Sequence, residues 1–199
     1  WLLYGVSGSG KTEVYLQALR RVLDKGGRGL VLVPEIALTP QTVLRFKQAL
    51  PGRQVAILHS MLSPNERTSQ WRNIQEGKAD LIIGARSAIF APIPDLGLIV
   101  VDEEHDASYK QEDGVIYNAR DMAVVRARLG ALPVVLASAT PALESVNNVA
   151  TGRYGRLHLP ERHGVAEIPD VAAIDMRAHP PERGAWVSPP LVAALEATF

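Results

Sequence analysis

The sequence predicts an α/β domain whose mainly parallel sheet is covered on both faces by helices, and three observations carry that prediction. Short runs rich in Val, Ile and Leu recur at 1–4, 30–33, 55–58, 81–83, 98–101 and 134–137. Strands that apolar suit a parallel sheet buried on both faces. Amphipathic stretches separate the runs through residue 150, which is the alternation of β-α-β units. A glycine-rich turn joins the first run to the first helical stretch. Open sheets of this kind bind ligands at the carboxyl ends of their strands.

The first run, Trp1-Leu2-Leu3-Tyr4, leads into Gly5-Val6-Ser7-Gly8-Ser9-Gly10-Lys11-Thr12, which fits G-x-x-x-x-G-K-[ST] at every fixed position. Gly5, Gly8 and Gly10 let the backbone turn tightly, so that successive N–H groups point at a triphosphate and the positive end of the next helix adds its field. Residues 5–12 are therefore the candidate nucleotide loop, with Lys11 reaching the β/γ-phosphates and Thr12 holding Mg²⁺. A glycine turn opening an ordinary helix is the plainer alternative.

Helix starts follow in order. Thr39-Pro40 places a capping hydroxyl before a first-turn proline, and Ser63-Pro64-Asn65-Glu66 forms a capping box. Asn118 caps a helix over Ala119–Leu129 that Gly130 ends. Past Gly152, Pro160, Pro169, Pro180, Pro181, Pro189 and Pro190 interrupt every apolar segment. That stretch reads as a linker, with a candidate strand at 171–174 and a helix starting at Ser188-Pro189-Pro190-Leu191. The expected organisation is a nucleotide-binding domain over 1–152, then a linker and the start of a further domain over 153–199. The opening on Trp1 and the close within a helical segment lead to the expectation that this is an excised piece of a longer protein.

A second half of the site stands where the run 97–101 passes into Asp102-Glu103-Glu104-His105. An apolar strand ending in two acids presents one carboxylate to Mg²⁺ and the next to the attacking water. Asp102 takes the first role and Glu103 the second. The alternative is an acidic strand end facing solvent. His105 gains its interest from Ser138-Ala139-Thr140, which follows the run 134–137 and whose hydroxyls can exchange hydrogen bonds with it or with the carboxylates across the sheet tip. In that position Ser138 and Thr140 can report the state of the γ-phosphate, and Thr140-Pro141 is also a candidate cap for a helix over 142–149.

Lysine plus arginine and aspartate plus glutamate are 21 each, so no net basic field advertises a nucleic-acid binder and any such site must be local. With no cysteine, a disulfide scaffold and cysteine-ligated zinc are excluded within these residues. No apolar run approaches the roughly 18 residues of a membrane helix. No membrane partner is expected, and the expected compartment is the cytoplasm.

In order and separation, the nucleotide loop, the D-E-E-H tetrad and S-A-T resemble the first RecA-like motor domain of a DExH helicase of superfamily two. Further stretches resemble the bacterial primosomal replication-restart helicases, the PriA family: 33–41, His59-Ser60 with Glu66-Arg67 and Trp71, 83–92, the loop 106–114 with Tyr117 and 119–121, and S-A-T-P-A-L-E-S from Ser138 to Ser145. The resemblance covers essentially residues 1–150. Val115-Ile116-Tyr117-Asn118 departs from it, since the family more usually has an arginine near the tyrosine and a histidine after it.

The resemblance implies a RecA-like three-layer fold and an ATP- and Mg²⁺-dependent DNA helicase. It further implies 3′ to 5′ movement, action on forked and single-stranded DNA at stalled replication forks, and a bacterial source. Its partners would be a second RecA-like domain of the same chain, primosome proteins and single-strand-binding protein. Zinc is expected only in a downstream module of the family. With the arginines of the second domain lying elsewhere, this piece is expected to hydrolyse ATP poorly. Thr39 and the exposed N–H groups before it can bind a DNA phosphate, as can Arg86 and Ser87. Tyr109, Lys110 and Tyr117 combine aromatic faces with a cation, as single-strand stacking requires. Helix capping, a surface ion pair and loop packing are the respective alternatives. Two other functions fit less of the sequence: a fork-binding assembly factor using ATP as a switch without productive unwinding, and a P-loop ATPase acting on something other than nucleic acid.

Overall fold

The computed structural model describes residues 1–162 and 171–198. Seven parallel strands form one sheet in the order β3-β4-β2-β5-β8-β1-β9. They are β1 (Leu2–Gly5), β2 (Arg28–Leu32), β3 (Val55–Leu58), β4 (Leu81–Gly84), β5 (Leu96–Asp102), β8 (Val134–Ser138) and β9 (Arg156–Leu159). A separate two-stranded antiparallel ribbon joins β6 (Lys110–Gln111) to β7 (Tyr117–Asn118).

Alternation along each strand divides the core between two faces. Leu3, Val31, Val33, Leu81, Ile83, Leu98 and Val100 pack against Tyr15, Leu16, Leu19 and Leu23 of α1 (Lys11–Asp24) and Phe46 of α2 (Pro40–Ala49). Leu2, Leu30, Leu32, Ile82, Ile99 and Val101 face the other way, toward Ile74 of α3 (Pro64–Gln75) and Ala119, Ala123 and Ala127 of α4 (Ala119–Leu129). The architecture is thus three layers, helices over both faces of a parallel sheet. Each fully buried Leu or Ile contributes about 1.5–3 kcal/mol, and β2 past Arg28, β4 and β5 up to Asp102 carry no polar side chain.

The helix starts form as their residues dictate. Thr39 Oγ1 accepts from the Thr42 N–H at 3.2 Å. The Ser63 box closes in both directions, with the Glu66 N–H on Ser63 Oγ and the Ser63 N–H on Glu66 Oε2. Asn118 Oδ1 accepts from the Arg120 N–H at 3.0 Å, and Gly130 ends α4 in a right-handed conformation.

Two departures from the sequence reading have simple causes. β9 lies past Gly152, where a linker was expected. Its residues Arg156-Leu157-His158-Leu159 are mostly exposed at a sheet edge, so no apolar run marks it, and Tyr4 of β1 holds it by stacking on His158 at 5.0 Å with the Arg156 guanidinium 5.6 Å above the ring. The segment 171–174, a candidate strand, has no regular structure. Its N–H and C=O groups find no strand to pair with among the described residues, and an unpaired four-residue strand does not persist in water. Pro169, part of the linker expectation, lies outside the described residues. The helix expected after Ser188 is α6 (Pro189–Thr198), whose first turn bonds the Ser188 carbonyl from Leu191 and Val192. It belongs to a smaller compact unit of its own, Ala166–Phe199.

Candidate functional site

Strand order decides what meets what. β8 lies between β1 and β5, so the turns that follow these three neighbours converge at one point on the carboxyl edge of the sheet. Those turns carry the glycine-rich loop, Ser138-Ala139-Thr140 and Asp102-Glu103-Glu104-His105.

The loop has the form an anion cradle requires. Gly8 and Gly10 sit at φ 79° and 89°, where a side chain would be strained, and a Cβ at either would meet nothing within 4 Å. Gly5 is required for the opposite reason: a Cβ there would lie 2.5 Å from Ser9 Oγ and 2.9 Å from the Leu159 carbonyl oxygen. No side chain caps α1, so the first N–H groups of that helix stay available beside the loop. Lys11 is buried, and its ammonium donates to the loop's own carbonyls at Gly5 (2.7 Å) and Val6 (3.2 Å). The Ser9 hydroxyl is buried with no protein partner, a polar group left over inside the cradle. Carbonyl-tethered ammonium, free helix N–H groups and an orphan hydroxyl together fit a polyphosphate.

Asp102 reaches the same point from β5. Tyr15, one turn into α1, donates its hydroxyl to Asp102 Oδ2 at 3.0 Å, and Thr12 flanks the same hydroxyl. The two residues expected to hold Mg²⁺ thus share a phenol between them. Burial is the main force raising the Asp102 carboxyl above its ordinary value, with the neighbouring Glu103 charge adding to it and the Tyr15 hydrogen bond opposing it. Burial, then the Asp102 charge, pushes the Tyr15 phenol far up, so it stays a neutral donor. Among the described residues no three His, Cys, Asp or Glu side chains form a metal cage. Mg²⁺ bound through one carboxylate, one hydroxyl, phosphates and water needs none.

Glu103 follows in a left-handed conformation, φ 45°, which costs a non-glycine residue about 1–2 kcal/mol. That turn separates its carboxylate from Asp102 and sets it 3.6 Å from His105 Nδ1. His105 Nδ1 also lies 2.7 Å from Ser138 Oγ, which accepts from the Thr140 N–H at 2.9 Å. The link between the tetrad and S-A-T expected from the sequence is therefore present as a chain, Glu103 to His105 to Ser138 to Thr140.

Other expected contacts fall differently. Tyr109 is 1% exposed, inside the core, with its hydroxyl donating to the Asp102 carbonyl at 2.6 Å, so its ring offers no stacking face and it supports the tetrad from beneath. Arg86 donates to the carbonyls of Ser108 (3.4 Å) and Lys110 (2.7 Å), clamping the 106–118 segment. Lys110 is exposed and paired with Glu112, and half-buried Tyr117 sets its ring edge-on to Phe90 at 5.0 Å. Thr39 serves as the α2 cap and remains exposed, as does Ser87. Thr140 does not cap α5 (Leu143–Ala150): the Ala142 N–H at its start instead donates to Glu104 Oε1 at 2.8 Å.

Glu104 is the residue sequence reasoning passed over. Buried to 1% exposure, it also takes the Ser145 hydroxyl at 2.9 Å and the Arg120 guanidinium at 3.4 Å on Oε2. Its only signal was its place in an acidic tetrad, which does not distinguish a solvated carboxylate from a buried one. Tyr15 had none, because a tyrosine in an amphipathic helix reads as core.

A family model for DEAD/DEAH box helicases matches residues 1–149. Replication restart protein PriA of Bacillus subtilis (strain 168) is 51% identical over 177 residues, 89% of this chain and 22% of that protein. The protein of the same name from Haemophilus influenzae is 45% identical over 197 residues, 99% of this chain and 27% of that protein. The chain thus spans about a quarter of the length of these relatives. Among solved structures, RecG bound to a three-way DNA junction matches 84% of this chain and 21% of that one with a TM-score of 0.58 at 24% identity. The Pyrococcus furiosus Hef helicase domain matches 81% of this chain and 35% of that one with a TM-score of 0.53 at 24% identity. At that identity the two structures bear on the fold alone, and the fold they share is the RecA-like helicase fold.

Proposed function

The chain belongs to the DEAD/DEAH box helicase family, and from that premise we propose that it is the ATP-driven motor domain of a replication-restart DNA helicase. The observation that carries the reading is the convergence of Lys11, Thr12, Asp102, Glu103 and the His105–Ser138 pair on neighbouring strand tips. ATP supplies the γ-phosphoryl group, and Mg²⁺ the charge that steadies it. Residues 5–12 hold the phosphates, Lys11 exchanging its carbonyl partners for phosphate oxygens. Thr12 and Asp102 hold the metal. Glu103 orients and deprotonates the attacking water, and the 3.6 Å approach of His105 carries the result to Ser138 and Thr140.

On the DNA side, Arg86 and Tyr109 tie the 106–118 segment to the nucleotide site, with Thr39, Ser87, Lys110 and Tyr117 facing the strand. The motor moves 3′ to 5′ on forked or single-stranded DNA in the bacterial cytoplasm, with primosome and single-strand-binding proteins as partners. A second RecA-like domain supplies arginines to the γ-phosphate, an effect of about 10³–10⁵ in rate in related systems. This piece by itself therefore binds Mg²⁺–ATP and turns it over slowly.

Titration of the chain with Mg²⁺–ATP, against Lys11→Ala and with turnover followed in the same sample, tests this. Lys11-dependent binding with slow turnover is expected, and brisk turnover would show a self-contained site. Strand separation by the longer protein with Glu103→Gln should be lost. Equal unwinding by both forms would leave the nucleotide as a switch only.

A further inference from the structure

Among the motifs in the sequence, His59, Arg67 and Trp71 take no part in the nucleotide site, and the fold gathers them elsewhere. β3 and β4 are adjacent at one edge of the sheet, and the segments at their carboxyl ends open into a cavity of about 270 Å³ lined by Leu58, His59, Arg67, Trp71, Ser87 and Phe90. We propose that this pocket takes an unstacked nucleobase of a single-stranded nucleic acid, held between Trp71 and Phe90 with Arg67 on the adjoining phosphate. The proposal rests on the reading of the chain as a DNA motor and adds a contact to the bases themselves.

Several properties of the pocket point to that ligand. Trp71 and Phe90 remain 38% and 53% exposed, a large aromatic surface left in water, over a floor of buried Leu58. Around them stand a guanidinium, an imidazole and a hydroxyl, and no carboxylate lines the cavity. The Arg67 guanidinium has one long hydrogen bond, to the Ser60 carbonyl at 3.3 Å, and no ion pair among the described residues. Aromatic faces beside a cation are what a base and its phosphate require, whereas an acidic or purely apolar partner would leave half of the lining unmatched. The volume lies below the roughly 300–1,000 Å³ of a drug-sized ligand site, which suits one planar ring. A base in a duplex hides both faces in its stack, so only an unstacked one can enter.

The pocket also has a route inward. Phe90 meets the edge of Tyr117, whose ribbon Arg86 clamps at Lys110 and whose neighbour Tyr109 bonds the Asp102 carbonyl. A base on Phe90 therefore bears on the segment that supports the tetrad.

The test uses the chain with Trp1→Phe and Trp186→Phe, which leaves Trp71 as the sole one of its 3 tryptophans. Its probes are a fluorescein-tagged oligothymidylate of about 12 nucleotides and an abasic strand of equal length, within the range such grooves occupy. Anisotropy reports binding and Trp71 emission reports contact. Both probes should bind, and only the oligothymidylate should quench Trp71. Trp71→Ala should weaken the oligothymidylate about tenfold and the abasic strand not at all, and Trp71→Phe should keep most of the affinity. Quenching by both probes alike, or undiminished oligothymidylate binding by Trp71→Ala, would overturn the pocket and leave the motor reading standing. Failure of the oligothymidylate to bind any form would overturn both.

Discussion

Glu104 accepts a hydrogen bond from the Ser145 hydroxyl at 2.9 Å, although the two residues are 41 positions apart. The same carboxylate receives the Ala142 N–H and the Arg120 guanidinium, so one buried acid ties the tip of β5 to the start of α5 and the start of α4. A carboxylate at a helix N-terminus is favoured by the local dipole, and three donors offset its desolvation. Glu104→Ala leaves Arg120 and the Ser145 hydroxyl without it, and is expected to cost about 3–5 kcal/mol. Glu104→Gln retains an acceptor and should cost less. Urea unfolding of the three forms checks the order.

Tyr15→Phe removes the hydrogen bond that most opposes burial at the Asp102 carboxyl, leaving the Glu103 N–H on Oδ1 at 3.2 Å. The carboxyl should rise further, and the acid limb of Mg²⁺–ATP binding should move to higher pH. Affinity measured between about pH 4 and 7 reports the shift, since ordinary aspartate titrates near 3.9.

Asp102→Asn should raise the melting temperature at neutral pH while abolishing Mg²⁺-dependent nucleotide binding. The folded-state value of Asp102 lies above the unfolded one, so its contribution to stability is full below the unfolded value and is lost as pH rises through the folded value. Asparagine removes that loss. The gain, about 2–4 °C for each kcal/mol in a domain of this size, should shrink as pH falls into the carboxylate range. Melts at neutral and acid pH decide it.

Gly5→Ala places a Cβ 2.9 Å from the Leu159 backbone oxygen, where nothing can rotate aside. β9 must shift or detach from β1, at an expected cost of about 1–3 kcal/mol. Hydrogen exchange at 156–159 should quicken, together with a lower melting temperature.

Arg86→Ala frees the carbonyls of Ser108 and Lys110. Exchange at the amides of 107–111 should accelerate about tenfold, the size expected when a charged hydrogen bond holding a surface segment is lost, while the sheet stays protected.

The central strands were legible because a parallel sheet covered on both faces demands uninterrupted apolar residues, and 30–33, 81–83 and 98–101 supply them. The glycine-rich loop and the acid pair of the candidate site stand out in the sequence because the chemistry proposed for them needs fixed residue types at fixed spacing. β9 and the β6–β7 ribbon were not: one is an exposed edge, and the other has strands of two residues, too short for any periodicity to show.

By itself, then, the sequence determined the layered α/β class, most helix caps and the candidate nucleotide ligands, since all of these depend on neighbours a few residues apart. Tertiary structure decided which residues share a point in space. It set the Tyr15 hydroxyl on Asp102, buried Tyr109 under the tetrad, turned Arg86 onto a loop and brought Glu104 onto the N–H that opens α5. The reason is physical: burial and long-range hydrogen bonds are set by strand order, and strand order is a property of the folded sheet rather than of any segment within it.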